Sequence, residues 1–160
     1  SFFILSKIFE GGLDIVNKAK IPILGGHTVK DAVPKYGLVV TGKVNKKHLT
    51  LNSTAKPGDK LILTKPLGTG IISTAIKQGS TNKNIMTMAI ETMRSLNKSA
   101  AEAMIEIGVN SCTDITGYGL LGHLLEMCKS SNVSATIEFD SMPFMNGVFE
   151  LARGGSPWRY

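Results

Sequence analysis

Ser111-Cys112-Thr113-Asp114-Ile115-Thr116-Gly117-Tyr118-Gly119-Leu120-Leu121-Gly122-His123 is the stretch on which the reading of this chain turns. A polar segment with one acid, Asp114, runs into Gly117, Gly119 and Gly122, and an apolar helical pattern follows at once: Leu120, Leu121, Leu124, Leu125, Met127. Glycines at a helix start let backbone N–H groups approach an anion, and the helix dipole favours negative charge there. An acid just before such a site repels a phosphate unless a cation lies between them. Mg²⁺ is typically held by one or two carboxylates plus phosphate oxygens. The stretch therefore points to a metal–phosphate site centred on Asp114. The alternative is that Asp114 or Thr116 caps the helix and the glycines only permit close packing.

Gly117-Tyr118-Gly119-Leu120-Leu121-Gly122 also matches the dinucleotide pattern G-x-G-x-x-G, with Glu138 and Asp140 roughly 20 residues on, as that fingerprint asks. Its entry does not match. The fingerprint needs an apolar strand running into the first glycine, whereas Ser111–Thr116 is mostly polar.

Working outward, Val133–Phe139 reads as a strand. Phe144–Arg153 reads as a helix stopped by Gly154-Gly155-Ser156-Pro157, and the chain then halts mid-course at Trp158–Tyr160. Upstream, Ile85, Ala89, Met93, Leu96, Ala100, Met104 and Ile107 predict one helix over Asn84–Ile107, with Gly108 as its stop. Lys60–Thr64 reads as a buried strand after the turn Lys56-Pro57-Gly58-Asp59. Lys65-Pro66-Leu67-Gly68-Thr69-Gly70 then leads to a helix over Ile71–Lys77, a loop explained by helix packing more simply than by phosphate.

Leu49–Ser53 reads as a short strand, Asn45–His48 as a polar turn and domain boundary, and Tyr36–Val44 as a valine-rich strand. Ile21-Pro22-Ile23-Leu24 is a short strand ending in Gly25-Gly26-His27-Thr28. Such a strand-end loop can set backbone N–H groups and an imidazole against a phosphate, or be a plain turn with a structural histidine. At the start, Phe2-Phe3-Ile4-Leu5, Ile8 and Phe9 share one helical face, Gly11-Gly12 interrupts it, and Leu13, Val16 and Ala19 restart it. A helix this apolar needs a cover, so the opening reads as the edge of a larger domain.

Composition narrows the class. The 160 residues are 42% hydrophobic and 19% charged, the balance of a globular protein rather than a disordered one. The net charge of +6 suits anionic ligands, but the lysines are scattered singly. Aromatics are 6%, with no basic–aromatic alternation, so nucleic acid is not an expected partner. No apolar run approaches the roughly 18 residues of a spanning helix, so neither is a membrane. Cys112 and Cys128 have neither zinc spacing nor a disulfide framework and fit a reducing compartment.

Thr113–His123 resembles the Thr-Asp-x-Thr-Gly-Phe-Gly-Leu-x-Gly-His signature of the selenophosphate synthetases (selenide, water dikinases). These belong to the ATP-using superfamily that includes aminoimidazole ribonucleotide synthetase. Gly25-Gly26-His27-Thr28 is similar to the family's Gly-Gly-His-Ser/Thr, and Lys65–Gly70 to its Lys-Pro-Leu-Gly-Thr-Gly. Pro34-Lys35-Tyr36-Gly37 follows the family, whereas Lys30-Asp31-Ala32-Val33 departs from it and leaves Asp31 alone to carry any charge-dependent role.

The resemblance implies an α+β fold: residues 1–47 as the end of an N-terminal ATP-binding domain, and 48–160 as a synthetase-type C-terminal α/β sandwich with a mixed sheet. It implies ATP plus selenide plus water giving selenophosphate, AMP and phosphate, in a cytoplasmic homodimer using Mg²⁺. By the same resemblance, Gly25, Gly26, His27 and Thr28 contact ATP and Asp114 holds metal. The family's catalytic Cys (or selenocysteine) and Lys lie in a glycine-rich N-terminal segment that matches nothing here, so this stretch of chain is expected to be inactive alone. A sister synthetase, or a non-catalytic nucleotide-binding or dimerisation module, is the alternative.

Overall fold

The computed structural model describes residues 2–154, in two compact units, Ser1–Val44 and Asn45–Tyr160. In the first unit, α1 (Phe2–Ala19) is one continuous helix. The predicted break at Gly11-Gly12 does not occur. A mid-helix glycine costs only about 1 kcal/mol against alanine, and local packing overrides it. Gly12 is buried because Tyr36 lies on it, and a Cβ there would overlap the Tyr36 hydroxyl. The Tyr36 ring also meets Phe9 edge-on, with centroids 5.7 Å apart. α1 ends where Lys20 turns left-handed and the Ile21 N–H bonds back to the Val16 carbonyl at 3.3 Å.

The second unit is built from helices α2 (Thr69–Lys77), α3 (Lys83–Arg94), α4 (Lys98–Ile107), α5 (Gly119–Ser131) and α6 (Val148–Arg153). α2 is its hub and packs against α3 and α6. Ile72, Ala89, Met145 and Val148 are buried there, with Ile71, Ile76, Ile85, Met88 and Leu151 around them. Phe139, Phe144 and Phe149 form an aromatic cluster beside α6, with centroid separations of 4.8–5.9 Å.

The expected α+β architecture with a mixed sheet is overturned. Among the described residues there is no strand, only one isolated parallel bridge between Leu67 and Phe144. Its hydrogen bonds are Leu67 N–H to Pro143 O at 2.8 Å and Met145 N–H to Leu67 O at 3.0 Å. The segments read as strands, at 21–24, 36–44, 49–53, 60–64 and 133–139, carry no ladder. Alternating or β-branched apolar residues mark a segment that suits a pleated surface, but a strand exists only through cross-strand bonds to a neighbour. Val39 and Ile62 stand 98% and 80% exposed, outside any such pairing.

Two helix boundaries also differ. The predicted Asn84–Ile107 helix divides at 95–97, where Ser95 is extended and ends α3. There the Lys65 ammonium donates to the Ser95 carbonyl, an acceptor the helix no longer uses. Asn82 caps α3, its side chain accepting the Ile85 N–H at 3.0 Å. Gly108 stops α4 with φ of 78°, as the sequence predicts. α6 begins only at Val148, because Phe144 is engaged in the bridge and Gly147 takes φ of 82°. Gly154 follows α6, while Gly155–Pro157 and Trp158–Tyr160 lie outside the described residues.

Candidate functional site

The signature of the second unit is a loop held from below. The Cys112 N–H donates to the Leu51 carbonyl at 3.0 Å, and the Ser111 hydroxyl reaches the same oxygen at 2.8 Å. The Thr54 hydroxyl bonds the Asn110 carbonyl. The Asn110 amide donates to Asp59 at 2.8 Å, and Asp59 also accepts the Lys56 N–H at 2.8 Å. That backbone bond first, and Asn110 second, hold the Asp59 carboxyl below its usual range. Ser131, at the end of α5, accepts the Ala55 N–H at 3.1 Å. Residues 51–59 thus strap the base of the loop to the far end of the helix that follows it.

Above the strap the chain turns at Thr116–Gly119, where the Gly119 N–H bonds the Thr116 carbonyl at 2.9 Å and Gly119 takes φ of 65°. α5 starts there, so the predicted glycine-to-helix transition is present. Tyr118 occupies the cap position, and its side chain makes no capping bond. Among the described residues no bond runs from the Asp114 carboxylate or the Thr116 hydroxyl to an N–H of the first turn of α5. The exposed Asp114 carboxylate lies on the loop that enters α5, a helix whose opening N–H groups present partial positive charge. The His123 Nε2 lies 3.1 Å from the Thr116 N and 3.1 Å from its hydroxyl.

The other predicted residues belong to the first unit. Gly25, Gly26, His27 and Thr28 are all exposed and outside regular structure. Gly25 and Gly26 have no positive φ, and a Cβ on either would meet nothing within 4 Å. The structure thus keeps them in a different unit from Asp114. Asp31 is engaged within its own loop: it pairs with Lys35 and accepts the Val33 N–H at 3.1 Å. Lys35 first, then the Val33 N–H, lower its pKa.

In the Lys65–Gly70 run, Gly68 has φ of 121° and its α-carbon faces Val148, a packing role. Cys112 and Cys128 are free thiols. Among the described residues no three His, Cys, Asp or Glu side chains gather into a metal cluster, so Asp114 stands as a single carboxylate. No helix of the described residues is long and apolar enough to cross a membrane. The Asp59–Asn110 staple and the His123–Thr116 contact are absent from the sequence expectations. The Lys56–Asp59 turn is legible as a turn, but its partner 51 residues away is not.

Comparison with known proteins adds the relatives. The chain is 53% identical over 152 residues to a selenide, water dikinase of Caldanaerobacter subterraneus subsp. tengcongensis, covering 95% of this chain and 44% of that protein. It is 49% identical over 152 residues to the selenide, water dikinase of Clostridioides difficile and 50% to that of Geobacter metallireducens, with the same coverage of 95% and 44%. The chain thus spans under half the length of the curated relatives it matches. Residues 56–158 match the family described as AIR synthase related protein, C-terminal domain. That match takes in the end of the strap, α2–α6 and the whole signature, and the chain belongs to the AIR synthase related protein family through this C-terminal domain.

Proposed function

We propose that this chain is part of a selenide, water dikinase, which makes selenophosphate from ATP, selenide and water and releases AMP and phosphate. The observation that carries this is the 53% identity to such a protein over 95% of the chain. Residues 1–47 are then the end of an ATP-binding N-terminal domain, and residues 48–160 belong to the C-terminal domain, in agreement with the family match at 56–158. The working protein is a cytoplasmic homodimer. The test is an assay of the full-length protein with ATP, with and without selenide. Formation of AMP that depends on selenide is expected, and equal ATP consumption without selenide contradicts the proposal.

Cleaving two phosphoanhydride bonds requires charge compensation along the whole triphosphate. Asp114 suits one part of it. Its carboxylate is exposed, caps nothing, and precedes the positive end of α5. Mg²⁺ in phosphate sites needs only one or two protein carboxylates, the rest of its shell being phosphate oxygen and water, so one acid fits. When bound there, Mg²⁺ neutralises the developing charge on the phosphate oxygens. Gly25–Thr28 is the nucleotide contact. Gly25 and Gly26 are exposed and a Cβ on either would meet nothing within 4 Å, so their backbone is open to close approach by a phosphate.

His27 tests that contact. In the full-length protein His27→Ala is expected to weaken binding of a non-hydrolysable ATP analogue by about 1–3 kcal/mol, the value of one hydrogen bond to a charged group. Calorimetric titration measures it. Unchanged affinity returns His27 to the role of an exposed loop residue.

A further inference from the structure

His123 closes the signature yet has no part in the chemistry above. Its Nε2 lies 3.1 Å from the Thr116 backbone nitrogen. An N–H can only donate, so Nε2 is the acceptor of that bond. The imidazole therefore reaches from the first turns of α5 back to the loop seven residues earlier. Its place is prepared. Tyr118 meets the ring edge-on with centroids 6.0 Å apart, and Gly122 admits Tyr118, since a Cβ on Gly122 would lie 2.7 Å from the Tyr118 Cβ. Thr116 is then held by His123 at its N–H and its hydroxyl and by the Gly119 N–H at its carbonyl. On the other side of Asp114, Cys112 is tied to Leu51 at 3.0 Å. Asp114 thus sits midway between two anchored peptides, and His123 supplies one of the anchors.

We propose that His123 is a positioning residue for the Asp114 carboxylate: by accepting the Thr116 N–H it fixes where that carboxylate can meet a divalent cation. The proposal rests on the metal role of Asp114 given above. Partners that orient metal ligands from behind typically change metal affinity 10–100-fold when lost. His123→Phe keeps a ring against Tyr118 but removes the acceptor. His123→Asn is polar, yet its oxygen sits near the Nδ1 position and falls short of Thr116. His123→Gln places an oxygen near the Nε2 position and restores the bond.

The probe is Mn²⁺, whose binding to the full-length protein with a non-hydrolysable ATP analogue is followed by electron paramagnetic resonance. Hydrogen–deuterium exchange over Thr113–Tyr118 is measured on the same variants. His123→Phe and His123→Asn are expected to weaken Mn²⁺ binding about 10–100-fold and to speed exchange over that peptide. His123→Gln is expected to restore both. Wild-type Mn²⁺ affinity in the Phe and Asn variants, alongside a loss in Asp114→Asn, overturns the positioning role and leaves the metal role standing. Undiminished Mn²⁺ binding in Asp114→Asn overturns both. Unchanged exchange in the Phe and Asn variants, or a Gln variant as impaired as they are, also overturns the proposal.

Discussion

Asp114→Asn leaves the full-length protein folded and slows its turnover by about 10²–10³ at limiting Mg²⁺, a barrier increase of a few kcal/mol. Asparagine keeps the shape and one acceptor oxygen and removes the charge. Stability is expected to hold because the Asp114 side chain is exposed and no side chain caps α5. The charge is expected to matter because Asp114 is the only acid between Ser111 and His123, and no acidic cluster among the described residues stands ready to replace it. High Mg²⁺ should recover part of the lost rate. The measurement is rate against Mg²⁺ concentration, with thermal melting as the folding control. Wild-type activity at limiting Mg²⁺ removes the metal role. A lowered melting temperature with normal activity makes Asp114 a structural residue.

Gly68→Ala acts on the fold instead. Gly68 precedes α2 with φ of 121°, a backbone state that costs a side-chain-bearing residue about 1–3 kcal/mol. An added Cβ would overlap Val148, which is buried in the core with Ile72 and Ala89. Overpacking a filled core typically costs a further 1–3 kcal/mol. The second unit is therefore expected to lose about 2–6 kcal/mol, a large part of the stability of a domain its size. Chemical denaturation of the chain measures it. If the midpoint is unchanged, packing is not the reason for this glycine, and the Lys65–Gly70 loop becomes a candidate ligand contact instead.

What the sequence discloses divides by the range of the interactions involved. Local signals are legible: Gly108 stops α4, glycines of the signature open α5, and the apolar positions of α3 follow helical spacing. Gly12 is the instructive failure. Its propensity says break, but its partner is Tyr36, whose position no local window contains. The strands fail for the same reason on a larger scale. Tyr36–Val44 and Lys60–Thr64 have strand composition, but pairing belongs to two segments at once, and here the bridge forms instead at Leu67 and Phe144. The candidate site divides likewise. Asp114 is visible as an acid among glycines, whereas the anchors around it, Leu51, Asp59 and His123, are defined by contacts with other parts of the chain.

The most direct test of the central claim is the phosphorus spectrum of the full-length protein's reaction with ATP and ⁷⁷Se-labelled selenide. The account predicts one new phosphorus resonance split by selenium, showing a P–Se bond, together with AMP and phosphate in equal amounts. ATP consumed with no selenium-coupled phosphorus signal contradicts it.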